Sequence, residues 1–182
     1  MNYQPPPFVP LRFLPAANPE EILNLPISGI NVVAHSPLPT NGNHWCLYLT
    51  INSKESVRVD MTPSYSVPST VMPGGSKGNM IVSKLDDDDE FSISATKKVW
   101  LDVKDGLKVR DIVELLTGQN RHQYEFNDLG QGCRYWVTDQ LRLLKSAQLV
   151  TDASQVREAS LAILVEHPSG TQYPLAVGAY YV

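Results

Sequence analysis

Cysteine is scarce in this 182-residue chain, with Cys46 and Cys133 as the only two. Two thiols are too few for the disulfide framework of a small secreted domain, and no Cys/His cluster has the spacing of a closed zinc site. No apolar run reaches the length of a membrane span. The N-terminus, Met1 to Pro10, has no basic stretch leading into an apolar one, so no signal or transit peptide is expected. Lys/Arg clusters interleaved with aromatics are missing, and the formal net charge is -4, which argues against a nucleic-acid or anionic-membrane surface. A Walker loop, a dinucleotide fingerprint and a metal motif are all lacking, so no cofactor or metal is expected. What remains is the expectation of a cytoplasmic protein whose partner is a small-molecule substrate or another protein. Its length suffices for one core without covalent staples.

Proline is not scarce, and it punctuates the first twenty residues at Pro5, Pro6, Pro7, Pro10, Pro15 and Pro19. Residues 1–28 are expected as a proline-rich arm packed on a single domain of residues 29–182, extended or with a short helix at Pro19-Glu20-Glu21-Ile22. Ile30 to Ala34 reads as a strand ended by the turn signal Ser36-Pro37-Leu38-Pro39-Thr40-Asn41-Gly42. From His44 to Ile51 the residues alternate: His44, Cys46, Tyr48 and Thr50 take one face, Trp45, Leu47, Leu49 and Ile51 the other. Ser56 to Met61 alternates again, so the two segments predict an antiparallel hairpin. Residues 63–77 predict a long loop, a candidate lid. Two more strands, Met80 to Ser83 and Phe91 to Val103, flank an acidic run at residues 86–90 that reads as a solvated tip rather than a cation site.

At Leu107 the period changes to helical and runs to Gly118. A second helix is predicted over Cys133 to Leu149, a third over about Ser154 to Leu164, and an edge strand within Tyr173 to Val182. The fold class is therefore α+β, an antiparallel sheet packed against helices.

The chemistry concentrates at Asn127-Asp128-Leu129-Gly130-Gln131-Gly132-Cys133-Arg134-Tyr135-Trp136, a glycine-bracketed turn, a cysteine and an immediate helix start. A thiol at a helix N-terminus faces unsatisfied N–H groups and the positive end of the macrodipole, which favour thiolate. Main-chain N–H groups beside Cys133 then suit an oxyanion, as does the Gln131 amide, which is equally readable as a turn residue. His44 is the imidazole placed to activate the thiol. With a three-residue connection at 52–54, Cys46 lies opposite Asp60 and His44 is its diagonal neighbour, within reach of a carboxylate–imidazole bond. The plainer readings are an inert core thiol at Cys133, a strand-end histidine at His44, a strand-end or turn-capping Asp60 and a packed thiol at Cys46. Trp45, Tyr48, Tyr135 and Trp136 read as core or as walls of an apolar substrate pocket, and Cys46, on the His44 face, is a further candidate substrate contact. His35, His122 and His167 lie in loop-like surroundings and take no role.

The order of His on a strand, Asp on the next strand and Cys at a helix start resembles the circularly permuted papain-like families, among them the lecithin:retinol acyltransferase group and the permuted deubiquitinase-like peptidases. The stretches NHWCLYL, VRVDM and GQGCRYWV are also similar to an uncharacterised domain of small fungal proteins, over most of the chain. The sequence departs from the better-known relatives in Gly132, where Asn often precedes the cysteine, and in Trp45 and Cys46 after the histidine. This resemblance implies a permuted papain-like fold with His44 as base, Cys133 as nucleophile and Asp60 as orienter. It implies thiol-dependent hydrolysis or transfer of an acyl group from a small or lipophilic amide or ester. The alternative it leaves is a cyclase or small-molecule-binding protein of fungal specialised-metabolite biosynthesis, using the same cleft without covalent cysteine chemistry.

Overall fold

The alternation that starts at His44 divides the molecule into two faces. In the computed structural model, which describes residues 7–38, 42–86 and 94–182, Trp45, Leu47 and Leu49 enter the main core while Cys46 and Tyr48 form a smaller cluster with Val33 on the opposite face. The chain order is β1 (Leu11–Leu14), α1 (Pro19–Leu23), β2 (Gly29–Leu38), β3 (Gly42–Thr50), β4 (Ser56–Pro68), β5 (Ser76–Leu85), β6 (Ala95–Leu101), α2 (Val109–Gly118), β7 (Tyr124–Phe126), α3 (Cys133–Ser146), α4 (Ala153–Ala162) and β8 (Ala179–Tyr180). The strands make one sheet in the order β6-β2-β3-β4-β5-β7-β8, with β1 beside β5. Among the described residues β1 with β5 is parallel and the other pairings are antiparallel. The architecture is mixed α/β, an open, mainly antiparallel sheet with helices against it.

The β3–β4 register pairs Leu47 with Val59 and Thr50 with Ser56. Continued by one residue it sets Cys46 opposite Asp60, with His44 diagonal to it on the same face. The helices cover the other face. In α3, Trp136, Val137, Gln140, Leu141 and Leu144 are buried at i, i+3, i+4 spacing, and the helix packs against β3. α4 starts where the Asp152 carboxylate accepts the Ser154 N–H at 2.8 Å, and α2 starts where Asp111 accepts the Lys108 N–H at 2.7 Å. Gln140 sits in the apolar stripe because its amide donates to Trp136 O at 2.9 Å and to the Tyr180 hydroxyl at 3.0 Å, which ties β8 to α3.

Within the expected arm, Leu11–Leu14 forms a strand, because its backbone finds the free edge of β5 beyond the short β7. The expected loop at 63–77 is largely strand. β4 continues to Pro68 and β5 begins at Ser76, so only residues 69–75 are a connection. That connection is tethered rather than free. The wholly buried Glu125 carboxylate accepts from Ser69 Oγ, from Thr70 N at 2.8 Å and Oγ1 at 2.7 Å, and from Val71 N at 2.9 Å. Of the acidic run, residues 87–90 lie outside the described residues, as do residues 1–6 of the arm.

Burial would raise the Glu125 pKa, but these donors prevail and hold it below the ordinary carboxylate value. A depressed native pKa means that its stabilisation is present above the unfolded value of about 4.3 and is lost as pH falls through the native one. Glu125→Gln is expected to lower stability by about 2 kcal/mol, a fall in Tm of roughly 4–8 °C. It should also open residues 69–75 to limited proteolysis at neutral pH. An unchanged digestion pattern would show that other contacts hold the loop.

Candidate functional site

Cys133 is the first residue of α3 and Gly132 its N-cap, so the thiol sits where the helix amides have no acceptor within the helix. The turn before it is organised by Asn127. Its Oδ1 accepts the N–H groups of Leu129 at 3.0 Å and Gln131 at 2.8 Å, and its carbonyl accepts Gly130 N–H at 3.0 Å. Beneath the turn, the buried Tyr124 hydroxyl donates to Gly132 O at 2.9 Å and accepts Gly178 N–H at 3.0 Å. The turn is therefore fixed from both sides before any ligand arrives.

α3 lies across β3 so that its N-terminus meets the start of that strand. The Cys133 thiol lies beside His44 and the Trp45 backbone N–H, both of which favour its thiolate. His44 Nε2 bonds Asp60 Oδ1 at 2.7 Å, which leaves Nδ1 as the ring atom for the thiol. Cysteine, imidazole and carboxylate thus form a connected chain, with side-chain exposures of only 25% for His44 and 10% for Asp60.

The electrostatics follow from this geometry. Burial opposes ionisation of Cys133, yet the His44 hydrogen bond and charge and the Trp45 N–H outweigh it, so the thiol titrates below its ordinary value. Burial likewise opposes the imidazolium, but Asp60 and then Cys133 hold His44 well above its usual range. Asp60 is desolvated too. His44, followed by Arg58 and His35, keeps it ionised and below the usual carboxylate value. Cys46 is driven the other way, because burial, reinforced by the Asp60 charge, pushes its thiol well up. The two cysteines thus shift in opposite directions, Cys133 toward thiolate and Cys46 away from it.

A cavity of about 390 Å³ opens over this group. Its lining includes His35, His44, Asp60, Gln131 and Cys133, with Leu38, Pro63, Tyr65, Phe126, Tyr173 and Pro174 as apolar walls. Gln131 lies in the lining, its side-chain oxygen accepting from the Asn127 amide at 3.3 Å. The N–H groups of Gly130 and Gln131 are occupied by Asn127, so the donors left for an oxyanion are the first amides of α3.

Four side chains read as substrate contacts stand outside the lining. Trp45 falls on the helix-facing side of β3 and packs edge-on to His167, its ring centroid at 5.8 Å, although its backbone N–H serves the thiol. Trp136 is buried one turn into α3, its indole donating to Arg121 O at 2.8 Å. Cys46 and Tyr48 have the right face, but His35 covers them, with Nε2 at 3.4 Å from Cys46 Sγ and 2.9 Å from the Tyr48 hydroxyl. His35 was given no role in the sequence, yet it sits at a register shift of β2 against β6 that aims its ring over this cluster, toward His44 at 6.5 Å.

The donor atoms of His44, Cys46 and Asp60 lie within 4.8 Å of one another, which makes them a geometric metal candidate. They fit a hydrogen-bonded pair better. His44 Nε2 and Asp60 Oδ1 stand 2.7 Å apart, whereas tetrahedral ligands of zinc stand ~3.3 Å apart at ordinary bond lengths. The Arg58 charge acting on Asp60 also disfavours a cation there.

Among the described residues, no helix is long and apolar enough to cross a membrane. A family model described as "Domain of unknown function (DUF7770)" matches residues 30–181, a span that contains the cysteine, the histidine and the carboxylate. No curated protein and no solved structure matches the chain.

Proposed function

Since the chain belongs to the DUF7770 family, defined without a function, we propose its activity from the site alone: a thiol-dependent acyl hydrolase or acyltransferase acting on a small or lipophilic amide or ester. The observation that carries this reading is the Cys133–His44–Asp60 chain at the floor of an apolar cavity. The same order of groups supports a permuted papain-like assignment of the fold, and a reducing cytoplasm keeps Cys133 a thiol.

In this mechanism the Cys133 thiolate attacks the substrate carbonyl carbon. The C–S bond forms and the carbonyl oxygen takes the negative charge, facing the first amides of α3. The intermediate collapses by breaking the bond to the leaving oxygen or nitrogen, which takes the proton held on His44. Water or an acceptor hydroxyl or amine then attacks the thioester, with His44 accepting its proton and returning Cys133 to thiolate. Asp60 holds the ring and stabilises the imidazolium throughout without taking the proton.

The test is to mix the protein with p-nitrophenyl butyrate, quench in acid and measure the intact mass. A butyryl adduct confined to the Cys133 peptide, formed in a burst and lost in His44→Ala, is expected. Release of nitrophenol without an adduct would refute the covalent route and favour the cyclising or binding alternative, in which the same cavity holds a metabolite without a thioester.

A further inference from the structure

The cavity's two tyrosines come from distant parts of the chain, and each rests on a glycine just upstream of a reactive residue. The Tyr65 ring lies against Gly130, three residues before Cys133. A Cβ placed on that glycine would come within 2.7–3.1 Å of the ring. The Tyr173 ring lies against Gly42, two residues before His44, at 3.3–3.4 Å from the corresponding position. Both glycines have left-handed backbone, at φ 69° and 62°, so neither position readily takes a side chain that would displace the ring.

Tyr65 is itself held at φ 55°. Such a conformation in a non-glycine residue has an energetic cost and persists where the surroundings enforce it. Burial does not offset that cost, because Tyr65 is 74% exposed. An aromatic ring kept at a cavity rim in a strained conformation, largely in water, points to a ligand that covers it.

The charge inventory says what that ligand lacks. Among the described residues the lining carries His35, His44, Asp60 and Arg134 as charged or titratable nitrogen and carboxylate groups, and each is already committed. His44 and Asp60 hold each other. His35 bonds Ser94 Oγ at 2.7 Å and the Tyr48 hydroxyl. Arg134 donates to the carbonyls of Ile163, Tyr173 and Pro174. A charged acyl group would enter with no partner for its charge, at a desolvation cost.

We propose that Tyr65 and Tyr173 form the acyl-binding walls of the site and restrict it to neutral, apolar acyl groups longer than acetyl. The inference rests on the acyl-transfer reading above. The cavity volume is at the lower end of the range for small-molecule sites, which suits one such group at the thiol rather than a folded partner.

The experiment measures kcat/KM for p-nitrophenyl acetate, butyrate and octanoate and for the mono-p-nitrophenyl ester of succinate, with Cys133→Ala as the background. Octanoate is expected to exceed acetate by tenfold or more, and the succinyl ester to fall below acetate. Tyr65→Gly and Tyr173→Ala should bring the octanoate-to-acetate ratio toward one. Tyr65→Gly should do so with a Tm equal to or above that of the parent, because glycine relieves the backbone strain. A lowered Tm with an unchanged ratio would make Tyr65 a structural residue. The iodoacetamide rate of the unmodified protein separates the two levels. A fast, His44-dependent rate with a flat chain-length series overturns this inference alone, and an ordinary rate overturns the acyl-transfer reading and this inference with it.

Discussion

Cys133→Ala is expected to abolish the proposed acyl turnover, by about four orders of magnitude or more, and to leave the fold standing. The size of the loss follows from covalent catalysis. Without the sulfur there is no thioester, and the amides of α3 and the cavity alone give only the residual rate that binding and oxyanion contacts provide. The fold should survive because Cys133 is only partly buried and packs at the margin of the core, so the loss of its sulfur removes little buried volume. Cys46→Ala should give the mirror result. Its thiol is buried against His35 and Tyr48, so its loss costs stability by about 1 kcal/mol while turnover stays within a few-fold. Matched circular dichroism melts and steady-state rates on the two variants check both statements. Equal activity loss in the two would mean that the thiols act together.

The largest structural effect is expected next door, at Arg134. Its guanidinium is buried at 5% exposure and gathers the carbonyls of Ile163 at the end of α4 and of Tyr173 and Pro174 in the cavity wall. The Tyr173 ring also lies 5.1 Å beneath the guanidinium carbon. Arg134→Met keeps the bulk and removes every donor, leaving buried carbonyls unsatisfied, a loss of about 3–4 kcal/mol. For a chain of this size that lowers Tm by roughly 6–16 °C. Arg134→Lys should recover only part of it, since one ammonium cannot match a planar fork aimed at three oxygens. Differential scanning calorimetry decides the matter. A Tm within 2 °C of the parent would show that the C-terminal segment is held by other contacts, such as the Tyr124 hydroxyl on Gly178 N–H.

How much of this was readable in the residues depends on whether a contact is local. The alternation from His44 to Thr50 and the short connection after it determine both the hairpin register and the meeting of His44 with Asp60, because pleat and turn length leave few other arrangements. The helix start at Cys133 was equally visible, since a glycine-bracketed turn followed by an i, i+3, i+4 stripe has one simple reading.

What escaped depends on pairs far apart in sequence. Glu125 is a single acidic residue in a short strand, and nothing near it announces that Ser69, Thr70 and Val71 will supply its hydrogen bonds. Arg134 looks like a solvated helix residue until the segment at 173–174 closes over it. Of the two readings open for Trp45 and Trp136, core or pocket wall, strand parity and helix phase select the core for both. Tyr65 and Tyr173 follow no informative period, and it is they that line the cavity. The Asn127 turn was present in the motif, but only its hydrogen bonds reveal that it consumes the Gly130 and Gln131 amides.

If His44, held in place by Asp60, turns Cys133 into a thiolate, the pH dependence of Cys133 alkylation by iodoacetamide will show it. A thiol whose pKa is lowered is ionised above that value and protonated below it. Alkylation should therefore remain fast on the acid side of the ordinary thiol titration near pH ~8.5 and decline only at lower pH. In His44→Ala the profile should move upward, while Cys46 should react only at high pH. A Cys133 profile that rises only through the ordinary thiol range, and that is the same with and without His44, would contradict the account.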